Sequence, residues 1–426
     1  MKAAREAVSV AVVLAVSLLL YMPASVQELL FKRVLWSPLE VEVTRFYNDV
    51  FNVTDELQAR KTWLNSEKWS SIRRGVNVYA VPYLDYKLRV YGDVPAPPLI
   101  ALLWALITYL ALLLTGSYIS PLFTVILYSF QAIISSLCVI IPFSSSRFRE
   151  HYLPLYPLLL TSILALAPYS LDVVSVPLVV LALLEAGRGK HGKAVFYMGL
   201  STGFNYFLLV LFVLYLHGVL VTGGGKVKLP ALSGVLLPYV IPGMLNPQYY
   251  EWFISGFLLA ERGGFGMGSI LVNALGQRLV YRVTVGLWLA LLVVLVSLTP
   301  RDRARSPSYL LNAFFLLFTL HVDAHPRALL PLFFAGAALN SLKPLSIYML
   351  VESCNALVHA LHLEAGTTAS LLGLIGVQPP QDPFSPENPV QWIAQFRNFI
   401  IVASSAGAVL EALKTQHHKN HIEPPQ

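Results

Sequence analysis

Charge is what this sequence has least of. Lys and Arg number 30 and Asp and Glu 23, so charged residues are 12% of the 426, against roughly 25% in a soluble domain. That excludes a soluble globular enzyme, a disordered chain and a solenoid with a wet face. Cysteine is nearly missing. Cys138 and Cys354 both lie in apolar runs, allow at most one bridge and exclude a disulfide scaffold. No internal repeat is visible, so an inverted-repeat transporter gains no support. The glycine run Gly263-Gly264-Phe265-Gly266-Met267-Gly268 lacks the Gly-Lys-Ser/Thr that a nucleotide phosphate loop needs. What is present in quantity is apolar: 56% of residues, with a mean hydropathy of +0.63. The chain therefore reads as an all-α polytopic membrane protein.

The net charge is +7. The large polar stretch 25–96 holds ten basic and nine acidic residues, so it is near neutral. That leaves no basic face for nucleic acid. The surplus fits basic loops at the membrane surface, in contact with membrane lipids.

The apolar runs predict where the chain crosses. Residues 1–24 form a first span with its N-terminus inside, because Lys2 and Arg5 resist translocation. Residues 25–96 follow as a large extracytoplasmic loop. Further runs lie at 98–115, 119–142, 153–169, 173–186, 195–221, 229–245, 279–298, 309–322, 327–341, 344–362 and 391–413. The basic loops Arg188–Lys193 and Arg301–Arg305 should both face the cytoplasm. Strict alternation cannot place both there if every run crosses; the conflict goes away if 153–169, broken by Pro154, Pro157 and Pro168, is re-entrant and the short run 249–260 crosses. The expectation is 11–13 spans in all, the first at 1–24 and the rest within 97–413, then a polar cytoplasmic tail, 414–426. That tail carries His417, His418 and His421, metal-capable side chains that we read as part of a frayed, solvated end.

Ionisable groups at membrane depth are costly and commonly face a cavity. Asp49, in Arg45-Phe46-Tyr47-Asn48-Asp49, is a carboxylate beside a membrane surface. It can serve as general base, or be a solvated loop acid. Asp172 opens an apolar run, where a helix N-cap competes with a functional role. Gln248-Tyr249-Tyr250-Glu251-Trp252 carries interfacial aromatics together with polar groups that anchoring does not require. His321-Val322-Asp323-Ala324-His325-Pro326-Arg327 spaces two His and an Asp like metal ligands. Pro326 disrupts the helix there and no second cluster completes a site, so a cation pair receiving a phosphate is preferred. Arg278 and Arg282 stand one helical turn apart, as snorkelling arginines do. Asn52-Val53-Thr54 is a glycosylation sequon, consistent with an outward loop.

In order along the chain, these features resemble the GT-C class of membrane glycosyltransferases. They are similar in particular to the polyprenyl-phosphate-mannose-dependent mannosyltransferases, such as the catalytic subunit of glycosylphosphatidylinositol mannosyltransferase I. The resemblance covers roughly residues 1–260. It rests on one span followed by a large acidic outer loop, on Gly75-Val76-Asn77-Val78-Tyr79 and on Tyr91-Gly92-Asp93-Val94-Pro95-Ala96-Pro97-Pro98-Leu99. Asp172, the basic loop Arg188–Lys193, Gly199-Leu200-Ser201-Thr202-Gly203 and Gln248–Trp252 then follow. The chain departs from the family at two points. Asn48-Asp49 stands where an Asp-x-Asp pair is common, and Phe204-Asn205-Tyr206 where a Lys is usual.

The resemblance implies an inverting glycosyltransferase with an extracytoplasmic active site; the absence of a eukaryotic retention signal fits the plasma membrane of a prokaryote. It implies transfer of a hexose, mannose by the family, from a polyprenyl-phosphate sugar donor to a glycan or lipid acceptor. Asp49 would be the base, and Asp172 would orient the acceptor. Gln248, Tyr249 and Trp252 would line the sugar, and His325 and Arg327 would hold the phosphate. The scheme demands no metal or other cofactor. A small membrane subunit is a possible partner. Two other readings stand beside it: a non-catalytic subunit of the same fold, and a transporter or lipid flippase.

Overall fold

The computed structural model describes residues 97–116, 121–143, 171–221, 229–245, 264–271, 277–298, 307–321, 324, 345–363, 372–374, 376 and 385–422, with isolated positions 15, 22, 27 and 30–32 near the start. Among the described residues every regular element is helical and there is no strand. The helices are α1 (Pro98–Thr115), α2 (Pro121–Phe143), α3 (Ser175–Gly187), α4 (His191–Thr202), α5 (Leu208–Val221), α6 (Leu229–Leu245), α7 (Gln277–Leu298), α8 (Pro307–Leu320), α9 (Leu345–Leu363) and α10 (Pro389–Ile422). Short 3-10 turns precede α3 (Leu171–Val174) and α7 (Met267–Leu271).

Local chemistry sets several boundaries. Pro98 opens α1, where a missing N–H costs nothing. Gly116 closes it in the left-handed conformation, φ 69°, and its N–H donates to the Leu112 carbonyl at 2.8 Å. At the start of α10, Asn388 caps the helix: its Oδ1 accepts the Val390 N–H at 2.9 Å, with Pro389 at the first helical position. The α3–α4 hairpin turns through Arg188-Gly189-Lys190. Gly189 sits at φ 72°, and the Lys190 N–H donates to the Glu185 carbonyl at 2.9 Å.

The run 195–221, expected as one span, is two helices. The chain breaks over Gly203–Phe207, where buried Asn205 accepts the Phe207 N–H through Oδ1 at 3.1 Å. An Asn side chain bonding the backbone two residues on competes with a continuing helix, and here it starts a new one. The expected tail also differs. Backbone helix continues through Lys414 to Ile422, so α10 is one element of 34 residues.

The core is built around α8, which is buried on nearly every side from Tyr309 to Thr319. It packs against α3, α5, α7 and α10. A helix apolar all round belongs at the centre of a bundle. Around it, α4 crosses α6 at close range. A Cβ on Gly199 would stand 2.6 Å from the Val235 nitrogen, so glycine sets how near the two backbones come.

The outside of the bundle is apolar. Leu113 and Leu114 of α1, Met244 of α6, Leu287 and Val293 of α7 and Phe399 of α10 are each more than 60% exposed. Among the described residues one segment, Pro389–Glu411, is long and apolar enough to cross a membrane by length and composition. Shorter apolar helices include Leu208–Val221, Arg282–Ser297 and Ser308–Leu320.

Candidate functional site

The largest concentration of buried polar chemistry lies where α10 meets α9 and the glycine-rich loop before α7. Gln391, Gln395 and Asn398 recur at helical spacing on one face of α10. That face reaches the loop carbonyls one by one. Gln391 Nε2 donates to the Gly264 carbonyl at 3.0 Å, and Gln395 Nε2 to the Gly266 carbonyl at 3.0 Å. Asn398 Nδ2 donates to the Phe265 carbonyl at 2.7 Å. Ser269 of the loop donates to the Gly266 carbonyl at 2.7 Å and lies 3.1 Å from Gln391 Oε1. A loop with few side chains of its own is thus held by its backbone. Phe265 inserts beside it, fully buried in a small apolar cluster with Val358, Val390 and Ala394.

Arg397 is the centre of this seam, with 0% exposure. Its Nη1 donates to Asn355 Oδ1 of α9 at 2.6 Å. Nε and Nη2 donate to Asn398 Oδ1 at 3.1 and 2.9 Å. Nη2 also reaches the carbonyls of Phe265 at 3.1 Å and Ala324 at 3.3 Å. All these acceptors are neutral oxygens. A buried cation is tolerated only when its donors are satisfied, and bonds to a charged donor are worth about 1.5–3 kcal/mol each. The guanidinium therefore ties α9, α10, the glycine loop and Ala324, four residues beyond α8, together. Its fork is committed to protein oxygens, which suits it to hold segments in place rather than to receive a phosphate.

Glu352, Asn355 and His359 of α9 share one stripe, and all three are buried. Nearby, His321 ends α8. Its ring meets the edges or faces of Phe207 at 5.3 Å and Trp288 at 5.4 Å, near perpendicular in both cases. His321 and Ala324 are the two described residues of the segment 321–327. Both lie against this polar and aromatic core.

The residues assigned from sequence divide sharply. Asp49, Gln248, Tyr249, Trp252, His325 and Arg327 lie outside the described residues. Asp172 is described. It is half-buried in the first turn of the 3-10 element, and its backbone carbonyl accepts the Ser175 hydroxyl. The N-cap position of α3 falls on Val174, two residues after Asp172. Gly199 serves the α4–α6 crossing. Of the arginine pair, Arg282 is exposed on α7 among outward apolar side chains. Arg188 bonds Glu185 Oε1 at 2.8 Å, with Lys190 Nζ 3.9 Å from Oε2. Among the described residues no group of three His, Cys, Asp or Glu could hold a metal ion. An apolar groove lined by Pro230, Ser233, Leu236, Leu237 and Val240 runs along the outer face of α6. Its lining offers no acid, base or cation.

Sequence reasoning missed Arg397 and its partners. The signal was there: polar residues at 391, 395 and 398 mark one helical face inside an apolar run. Compared with known proteins, the chain matches no family model, no curated protein and no solved structure.

Proposed function

We propose that this chain is a polytopic membrane glycosyltransferase of the GT-C kind, working at the extracytoplasmic face of a prokaryotic plasma membrane. Its polarity is arranged for lipid. The most exposed large side chains on α1, α6, α7 and α10 include Leu, Val, Met and Phe, while Arg397, Glu352, His359 and Asn355 are inside. Water would favour the reverse.

The observation that supports the transferase reading most is the bond from Arg397 to the Ala324 carbonyl. It anchors the middle of the segment His321–Arg327, to which we give the lipid phosphate. In the proposed reaction Asp49 takes the proton of the acceptor hydroxyl. The acceptor oxygen bonds the anomeric carbon as the bond from that carbon to the phosphate oxygen breaks. Polyprenyl phosphate leaves, its charge steadied by His325 and Arg327. Asp172 orients the acceptor, and Gln248, Tyr249 and Trp252 line the sugar. No metal enters this scheme.

A second reading, a transporter or flippase, draws on the buried ionisable groups Arg397, Glu352 and His359, since such groups also mark transport paths. Membranes containing the chain, incubated with radiolabelled polyprenyl-phosphate mannose, separate the two. Transfer of label to a lipid or protein acceptor, lost in Asp49→Ala at unchanged expression, is the expected result. Movement of the labelled donor across the bilayer without transfer would favour the flippase. No transfer and no movement would leave a non-catalytic subunit of the same fold.

A further inference from the structure

We infer that the α3–α4 turn is a docking surface for an anionic phospholipid, with Arg188, Lys190 and Lys193 at its head group and the outer faces of α3 and α4 along its chains. The inference rests on the membrane reading proposed above and not on glycosyl transfer. Residues 185–193 hold three cations and one acid, a net charge of +2 with His191 neutral. The acid gathers the cations. Arg188 Nη1 lies 2.8 Å from Glu185 Oε1 and Lys190 Nζ 3.9 Å from Oε2, so one carboxylate draws both to the same edge. Those two cationic side chains are 62% and 57% exposed, against 11% for Glu185, so they keep an outward side for a second anion. Lys193 is exposed and three residues on from Lys190, about one helical turn, with no acidic partner among the described residues.

The backbone of the turn does not oppose this charge. The last carbonyls of α3, those of Leu184, Glu185 and Ala186, accept the N–H groups of Arg188, Lys190 and Gly189. Nor is the turn covered by the described residues: Gly187, Gly189 and Gly192 are exposed, and a Cβ on each would meet nothing within 4 Å. The surface beside the turn separates a lipid from a free anion. On α3, Leu181 is exposed and Leu184 half-buried, seven and four residues before Arg188. On α4, Tyr197 and Leu200 are half-buried, four and seven residues after Lys193. Positions at these spacings share a helix face. Each helix thus carries an outer apolar stripe that ends in a cation, and both cations stand at the same end of the hairpin. A soluble anion would use the cations alone, whereas an anionic phospholipid matches the cations with its head and the stripes with its chains.

The test uses the full chain in a neutral detergent, stripped of lipid and offered equal amounts of phosphatidylglycerol and phosphatidylcholine. Native mass spectrometry reads which lipid stays bound. A preference of about tenfold or more for phosphatidylglycerol is expected. Lys190→Gln/Lys193→Gln changes two exposed side chains and leaves Arg188 on Glu185, so the fold and the carboxylate are undisturbed. It should lower the preference about fivefold for each cation removed. Glu185→Gln takes the patch from +2 to +3 and should raise the preference, a direction that a merely structural turn would not give. Arg282→Gln, at an exposed arginine of α7, should leave it unchanged. The inference is overturned if the parent holds both lipids equally, if the double variant keeps the parent's preference, or if Arg282→Gln lowers it as much. It is also overturned if millimolar inorganic phosphate displaces the lipid, since the turn would then be a site for a free anion. Release of the chain from membranes by an alkaline carbonate wash would overturn the membrane reading and this inference together. A chain that stays in the membrane but ignores lipid charge overturns this inference alone.

Discussion

The region α3–α5 and the region α8–α10 are held together by different physics. Around α3–α5 the buried set is mainly aliphatic, with neutral polar groups such as Ser201, Thr202 and Asn205 among it: Val176, Val179, Leu183, Val195, Leu208 and Leu211 are each no more than 1% exposed. Its ions sit at the hairpin end, where Arg188 and Lys190 are exposed and Glu185 meets both. In α8–α10 the core itself is polar, with Arg397, Asn398, Asn355, Glu352 and His359 at 1% exposure or less. Apolar contacts are non-directional and tolerate changes of shape that keep volume. A hydrogen-bonded buried cation tolerates almost nothing, because each partner left behind is a desolvated acceptor. The first region is therefore a general scaffold. The second has a specified geometry, as a site needs.

The largest expected effect breaks the second region. Arg397→Leu takes the donor from Asn355 Oδ1, Asn398 Oδ1 and the Ala324 carbonyl in a dry core, while the Phe265 carbonyl keeps Asn398 Nδ2. At about 1–3 kcal/mol for each stranded group, the loss should reach about 3 kcal/mol or more. The measurement is thermal unfolding in detergent, followed by size-exclusion fluorescence. Arg397→Lys keeps the charge but cannot fork to four acceptors, so it should fall between parent and Leu. If Arg397→Leu unfolds at the parent's temperature, the two regions do not differ in the way described.

A smaller effect probes the first region. Gly199→Ala places a methyl 2.6 Å from the Val235 nitrogen, a backbone atom that cannot rotate away. Overpacking of this kind costs about 1–3 kcal/mol. Gly192→Ala, on the same helix but with nothing within 4 Å, is the control and should be near neutral. Equal melting temperatures for the two variants would show that α4 and α6 do not cross as closely as described.

Composition and run length made the helical class legible, because 56% apolar residues with 12% charge leave few other folds. Ends with local chemistry were legible too: Pro98 at the start of α1 and the turn Arg188–Lys190, which opens the basic stretch 188–193, while His191–Lys193 already belong to α4. The break at Gly203–Phe207 was not, because hydropathy averages over a window in which a single Asn is outvoted by Leu and Val. The continuation of α10 to Ile422 was missed for the opposite reason. Polar residues read as tail, yet Lys414, Gln416 and Lys419 are good helix formers. The polar seam went unread because its members are scattered. Gly264, Ala324, Asn355 and Arg397 meet only through tertiary packing, and two of them contribute nothing but a carbonyl. Of the residues assigned from sequence, Asp172 alone is among those described.

The smallest effect sharpens the contrast, since it concerns an arginine with a bond of nearly the same length. Arg188 Nη1 stands 2.8 Å from Glu185 Oε1, and Arg397 Nη1 stands 2.6 Å from Asn355 Oδ1. With lengths so close, formal charge alone would rank the ion pair higher. The side chain of Arg188 is 62% exposed, however, so water and salt screen its attraction and solvate it equally well when the bond opens. Arg188→Ala should therefore cost no more than about 0.5 kcal/mol, and the difference from parent should shrink further at high salt. Glu185 keeps Lys190 within 3.9 Å in that variant, so its carboxylate is not stranded. Thermal unfolding of Arg188→Ala and Arg397→Leu at low and high ionic strength gives the comparison directly. A salt-dependent deficit for the first and a salt-independent one for the second follow if burial, and not contact length, decides what an arginine is worth in this protein. A deficit at Arg188 as large as that at Arg397 would mean that the hairpin end is less wetted than its exposure implies.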